Sequence, residues 1–390
     1  MSATREQAVS QGQTAGQGRR LPAEDGADAR RGSETVAPAA WDPLDPRRAA
    51  QAASALRRRA WRTHGMFAAL LIAAIVAAPL VGSTPLDLGA VLDRSRPWAD
   101  NTAAQIFFIA RLPRVLAAGL VGATLAVAGV VMQALLRNPL ATPFTLGVSS
   151  GSALGAMLAI TFLPAWTGGA LTSVPLASLA GALGAVLIVY ALAQVRHRGF
   201  STDVLLLAGV TLNAFFSALI LLVQYLSDFT ETIRTLRWLM GDLDVAGYAP
   251  LGVALVMLLP ALAAFAWLPR SLNALALGAE QAGTRGVPVL GVQRVAFFAS
   301  SLATGVAVSL AGPIGFIGII VPHLVRLIVG ADHRVVMPAS ALFGAAFLIA
   351  CDALARTVIA PVELPVGVVT AVLGAPFFLW LLRRRDGTWS

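Results

Sequence analysis

Long apolar runs recur along this chain, and its charged residues are pushed into the intervals between them. Between Arg114 and Arg137 lie 22 residues without a single charge. An apolar stretch of about 20 residues matches the hydrocarbon thickness of a bilayer, so this one is a membrane-span candidate. Ten such runs are predicted, near 65–82, 108–136, 145–163, 172–195, 203–226, 249–268, 293–312, 314–330, 335–359 and 364–382. The predicted fold is therefore all-α: a polytopic membrane protein with about ten transmembrane helices within residues 63–390. Residues 1–62 show no apolar periodicity and read as a disordered cytoplasmic tail.

Composition supports the membrane reading, with 57% apolar residues, 13% charged residues and a mean hydropathy of +0.74. The net charge of +9 would raise nucleic acid as a partner in a soluble chain, but the arginines sit in the tails and between the runs. That placement is a topology signal. With an even number of spans, "RRRAWR" before the first and "RRR" after the last place both termini in the cytoplasm. Arg137 then lies at an inner mouth, as the rule expects, whereas Arg111 and Arg114 lie at an outer mouth against it. Two readings stand: the pair snorkels to lipid headgroups, or it forms a positive docking patch.

Small residues recur at helical spacing, as Gly119, Gly122, Ala126 and Gly129 and again as Gly312, Gly315 and Gly318, which lets helices approach closely. Pro139, Pro143, Pro313, Pro322, Pro365 and Pro376 interrupt the helical ladder. Broken backbone at membrane depth persists only where protein buries it or where it lines a cavity, so some of these spans should line a path.

The chemistry points away from catalysis. The histidines are scattered without ligand spacing, and Cys351 is the single cysteine, so no disulfide within the chain and no thiolate metal cluster is expected. All 29 basic side chains of the Lys/Arg class are arginine. Without lysine there is no phosphate-binding GxxxxGK[ST] loop, so ATP-driven work would need another chain. An ion-coupled carrier or a channel acting alone is the rival reading, but the candidate groups for ion coupling are few. Asp352 and Arg356, spaced i, i+4, read as a neutralising pair on one helix face. The longest inner loop, 269–294, contains "SLNALALGAEQAGTRG", in which Gly278, Gly283 and Gly286 suggest two short helices with tight joints, suited to a groove on a cytoplasmic protein.

Four motifs in order, "RLPRVLAAGLVGATLAVAGVVMQALLRNPLATPFTLGVSSGSALGA", "ALALGAEQAGTRGVPV", "GFIGIIVPHLVRLIVGADHR" and "ELPVGVVTAVLGAPFFLWLLRR", resemble the FecCD-type permeases of ABC importers for iron-siderophore, haem and cobalamin. The resemblance covers about residues 66–385. It implies the type II importer permease fold, a homodimer (or a pair with a close paralogue) in the bacterial inner membrane, two cytoplasmic ATPase subunits and a periplasmic or lipid-anchored binding protein. No cofactor is implied in this chain, because ATP and Mg belong to the ATPase; nor is nucleic acid. Carried over motif by motif, Arg111, Arg114 and Arg356 would dock the binding protein. Gly278, Ala279, Glu280, Gln281, Ala282, Gly283 and Gly286 would couple to the ATPase. Asn138 and Leu140 would narrow the inner end of the pathway, with Ser149 and Ser150 beside it. The implied function is uptake of an iron complex, ferric siderophore by choice, with haem and cobalamin as alternatives.

Overall fold

The computed structural model describes residues 46–82, 84, 86–93, 95, 97–163, 172–196, 202–245 and 247–384. By contact the chain divides between Gln51 and Ala52; the first unit contributes only the opening of one helix to the described residues, and the second, residues 52–390, holds everything below. Regular structure among the described residues is helical throughout. In chain order the helices are α1 (Pro46–Ala77), α2 (Leu88–Leu92), α3 (Thr102–Gln105), α4 (Leu112–Leu136), α5 (Val148–Phe162), α6 (Ser173–Arg196), α7 (Thr202–Leu226), α8 (Phe229–Leu239), α9 (Ala249–Ala276), α10 (Ala279–Thr284), α11 (Val289–Ala311), α12 (Ile317–Val329), α13 (His333–Ala355) and α14 (Val366–Arg384). A π-helical turn, Ile106–Arg111, joins α3 to α4 without a break.

Seven of these helical stretches are long and apolar enough to cross a membrane, and α5, α12 and α14 are shorter apolar helices where the sequence predicts three more spans. The brevity of α5 and α12 has a visible cause. Each begins after non-α-helical backbone, a 3-10 turn at Pro143–Leu146 for α5 and the segment from Gly312 to Phe316 for α12. Phe316 itself takes a left-handed conformation at φ 66.

The core is built around α4, most of whose residues are buried. Small residues explain how its neighbours come so close. A Cβ placed on Gly122 would stand 2.3 Å from the carbonyl oxygen of Gly344 on α13, and one on Gly129 would stand 2.1 Å from that of Gly318 on α12. Backbone contact of this kind is how helices associate when lipid supplies no hydrophobic drive between them.

Three expectations change. The stretch 46–62, expected within the tail, is the first half of α1, because its Ala, Arg, Gln and Leu are strong helix formers; residues 1–45, like 197–199 and 385–390, lie outside the described residues. α9 continues through Pro260 and Pro269 to Ala276, so the first part of the expected inner loop is the end of a long helix. Finally α8, which no apolar run announces, is an amphipathic helix capped reciprocally by Asp228 and Glu231.

Candidate functional site

The predicted residues collect at the two ends of the bundle. At one, here the arginine end, α4 begins and α13 finishes. Their close packing brings Arg114 against Asp352 across 238 positions of sequence. Arg114 Nε donates to Asp352 Oδ1 at 2.8 Å, and Arg356 Nε donates to Asp352 Oδ2 at 3.0 Å, so one fully buried carboxylate serves two guanidiniums. Arg114 Nη1 reaches Glu363 Oε2 at 2.7 Å. The predicted i, i+4 pair is present; Arg114 as its second cation is the addition.

The remaining donors of this end go to backbone. Arg356 donates to the carbonyls of Val81 (2.8 Å) and Ala78 (3.1 Å), and Arg111 to the carbonyl of Pro79 (3.0 Å) and to both oxygens of Thr84. The chain after α1 is thereby tied to α4 and α13. Gly82 leaves room for this, since a Cβ there would meet Arg111 Nη2 at 2.7 Å. Arg111 and Arg356 are 7% and 3% exposed, and their guanidiniums are occupied inside the chain. Beside them a cleft of about 570 Å³ is lined by Arg114 and Glu363, by Arg237 of α8, and by Asp242 and Asp244 of the α8–α9 connector.

At the opposite, hinge end stands α10. Among its residues only Ala282 is buried; Ala279, Glu280, Gln281, Gly283 and Thr284 face outward. Gly278 at φ 120 and Gly286 at φ 79 are the joints on either side. Gly283 is not a joint: it lies inside α10 with ordinary helical backbone, and the predicted pair of short helices reduces to α10 alone because α9 absorbs the other. A Cβ on any of the three glycines would meet nothing within 4 Å, so nothing in this chain crowds them.

Near the hinge end α4 stops one turn before Pro139. Arg137 closes it in the left-handed conformation, and the Asn138 side chain accepts from Leu140 N at 2.9 Å, folding the turn that leaves Leu140 exposed. Ser149 and Ser150, in the first turn of α5, are half-buried, and Ser150 Oγ donates to Asn213 on α7.

A model of the FecCD transport family matches residues 70–384. The chain belongs to the FecCD transport family. Among relatives, it is 43% identical over 278 residues to the hemin transport system permease protein of Yersinia pestis, covering 70% of this chain and 82% of that protein. It is 43% identical over 286 residues to the cobalamin import system permease protein of Halobacterium salinarum, covering 73% and 75%. A solved inward-facing metal-chelate type ABC transporter superposes with TM-score 0.72 at 32% identity, over 83% of this chain and 99% of that one. This FecCD chain is thus an ABC importer permease, and the motifs quoted above were enough to recognise it.

Residue-by-residue reading missed two things. Glu363 as a partner of Arg114 had no sequence signal, since only the fold brings them together. The capped helix α8 did have one, Asp228 followed three residues later by Glu231.

Proposed function

We propose that this chain is the membrane-spanning subunit of an importer for a metal chelate, working as a homodimer with two ATPase subunits and a binding protein. The arginine end faces outward, the hinge end faces the cytoplasm, and the membrane is the bacterial inner membrane. The observation that carries the reading is α10: a short helix held by one buried alanine between two positive-φ glycines, exposing small and polar side chains to a groove that this chain does not contain. Gly278, Ala279, Glu280, Gln281, Ala282, Gly283 and Gly286 form that contact, and ATP and Mg are held by the ATPase.

At the outer end the binding protein meets the cleft lined by Arg114, Arg237 and Glu363, while Arg111 and Arg356 act from within by tying the carbonyls of Ala78, Pro79 and Val81, after α1, to α4 and α13. At the inner end two copies of the Asn138–Leu140 turn narrow the pathway, with Ser149 and Ser150 alongside. The cargo is an iron complex, ferric siderophore; the cargoes named for the relatives above support haem or cobalamin as the second reading.

The test is reconstitution in proteoliposomes with the cognate ATPase and binding protein, offering ferric siderophore, haem and cyanocobalamin in turn. ATP-dependent uptake of one of them is expected. Accumulation driven by a proton or sodium gradient without any ATPase would overturn the reading.

A further inference from the structure

Asn273 lies in the last turn of α9, five residues before the Gly278 joint, and its side chain crosses to the turn between α12 and α13. Its Nδ2 donates to Asp332 Oδ1 at 2.7 Å, while its Oδ1 accepts from His333 N at 2.9 Å and faces His333 Nδ1 at 2.7 Å. The amide orientation is fixed by these neighbours: a carboxylate can only accept and a backbone N–H can only donate, so the other rotamer would oppose like to like at both contacts. Asp332 is held in turn as the N-cap of α13, accepting from the backbone and guanidinium of Arg334. One residue pair further along, the last turn of α9 is tied again, because Arg137, the cap of α4, donates to Leu275 O at 3.3 Å.

The consequence is mechanical. A displacement of α10 acts on the end of α9, and Asn273 is the side chain that hands it to the start of α13. That helix of 23 residues spans about 35 Å. Its far end carries Asp352, the centre of the arginine-end network. We infer that Asn273 is a positioning residue for energy coupling, whose hydrogen bonds to Asp332 and His333 convert movement of α10 into movement of α13. The inference rests on the proposed ATPase contact at α10 and adds to it the route by which the contact reaches the opposite end.

The experiment compares Asn273→Asp with the exchanged pair Asn273→Asp/Asp332→Asn, each in the whole importer with its ATPase and binding protein. The probe is whichever of ferric siderophore, haem and cyanocobalamin the wild type accumulates. Asn273→Asp sets two carboxylates against each other at unchanged size. Uptake per ATP hydrolysed should fall about tenfold, a size within the usual range for coupling residues. In the exchanged pair the carboxylate at 273 still accepts from His333 N and the amide nitrogen at 332 supplies the lost donor, but the oxygen it replaces also accepts from Arg334 N and Nε, so the cap of α13 is weakened and the ratio should recover in part, to within about threefold of wild type. If Asn273→Asp fails to assemble while the exchanged pair assembles, the bonds hold the fold and the coupling inference is overturned. A wild-type ratio in Asn273→Asp, an exchanged pair no better coupled than the single variant, or failure of both to assemble would each overturn the inference, the last by showing that the bonds hold the fold. A wild type that takes up none of the three probes with its ATPase would overturn the functional reading, and this inference with it.

Discussion

The two ends of this permease solve opposite problems. At the arginine end three guanidiniums and two carboxylates lie close together, and every one of them is engaged with another charge or with a backbone carbonyl. At the hinge end a six-residue helix is attached through one buried alanine and two glycine joints with empty space around them. The first arrangement fixes chain segments that are far apart in sequence; the second leaves a segment free to follow something else. With the arginine end outward, as proposed above, the contrast also explains how Arg111 and Arg114 can stand against the positive-inside pattern. That pattern concerns charges that interact with solvent and lipid headgroups, and these two are consumed by Pro79, Thr84, Asp352 and Glu363 within the protein.

The largest way to break the contrast is to remove its central charge. Asp352→Ala would leave Arg114 and Arg356 buried without their shared carboxylate, and breaking a buried pair by deleting one partner costs about 3–5 kcal/mol. Detergent-solubilised protein should lose most of its thermal stability or fail to accumulate in the membrane. Glu363→Gln is the control, because Glu363 has 43% of its side chain exposed and its ion pair is with Arg114. An exposed pair contributes about 0–1 kcal/mol, so that variant should unfold close to wild type. Equal losses in the two would mean that the buried carboxylate is not the organising charge.

Next comes the hinge end, where the expected effect is on transport and not on the fold. Gly278 sits at φ 120 and ψ 147, backbone that a residue with a Cβ adopts only under strain of about 1–3 kcal/mol. Gly278→Ala should reorient or loosen α10 and lower uptake per ATP hydrolysed, while the unfolding of the bundle changes little. Gly283→Ala should leave the unfolding of the isolated subunit unchanged, since the site is helical and open and alanine favours a helix over glycine by about 1 kcal/mol, and in the whole importer it should lower coupling less than Gly278→Ala does. The two variants part the joint from the contact surface: a coupling loss at position 283 as large as at 278 would place the partner's wall directly against that residue.

What the sequence showed of this arrangement follows the range of the interactions involved. Spans announced themselves through runs of apolar residues, and Asp352 with Arg356 through an i, i+4 spacing, because both signals are local. Gly122 and Gly129 were legible as a small-residue face, though not which helices they would meet. The Arg114–Asp352 bond, the Asn273–Asp332 bond and the placement of Arg111 under Gly82 join residues that only the finished fold makes neighbours. The expected loop at 269–294 went astray for another reason. The apolar run stops at 268, where polar residues begin to intervene, whereas packing around Leu268, Leu272 and Leu275, all buried, carries the helix past Pro269 to Ala276.

The smallest expected effect sharpens the comparison from the side of pH. Asp332 lies in the turn between α12 and α13. Burial opposes its ionisation, but hydrogen bonds from Arg334 and Asn273 and the charge of Arg334 prevail, holding its carboxyl at about 2 against an ordinary 3.8. A folded-state value below the unfolded one means that ionised Asp332 contributes stability in full above about pH 3.8, and that this contribution fades as the pH falls towards 2. The first turn of α13 should therefore loosen in that window. Asp332→Asn keeps a capping oxygen and removes the titrating group, so the difference in amide exchange at Arg334–Met337 between variant and wild type should be present at pH 5 and shrink as the pH drops through the window. Only part of this carboxylate is shielded from solvent, so added salt should reduce the difference as well. A difference that stays constant from pH 5 to the lower limit would show that the cap's geometry, and not its charge, holds the start of α13.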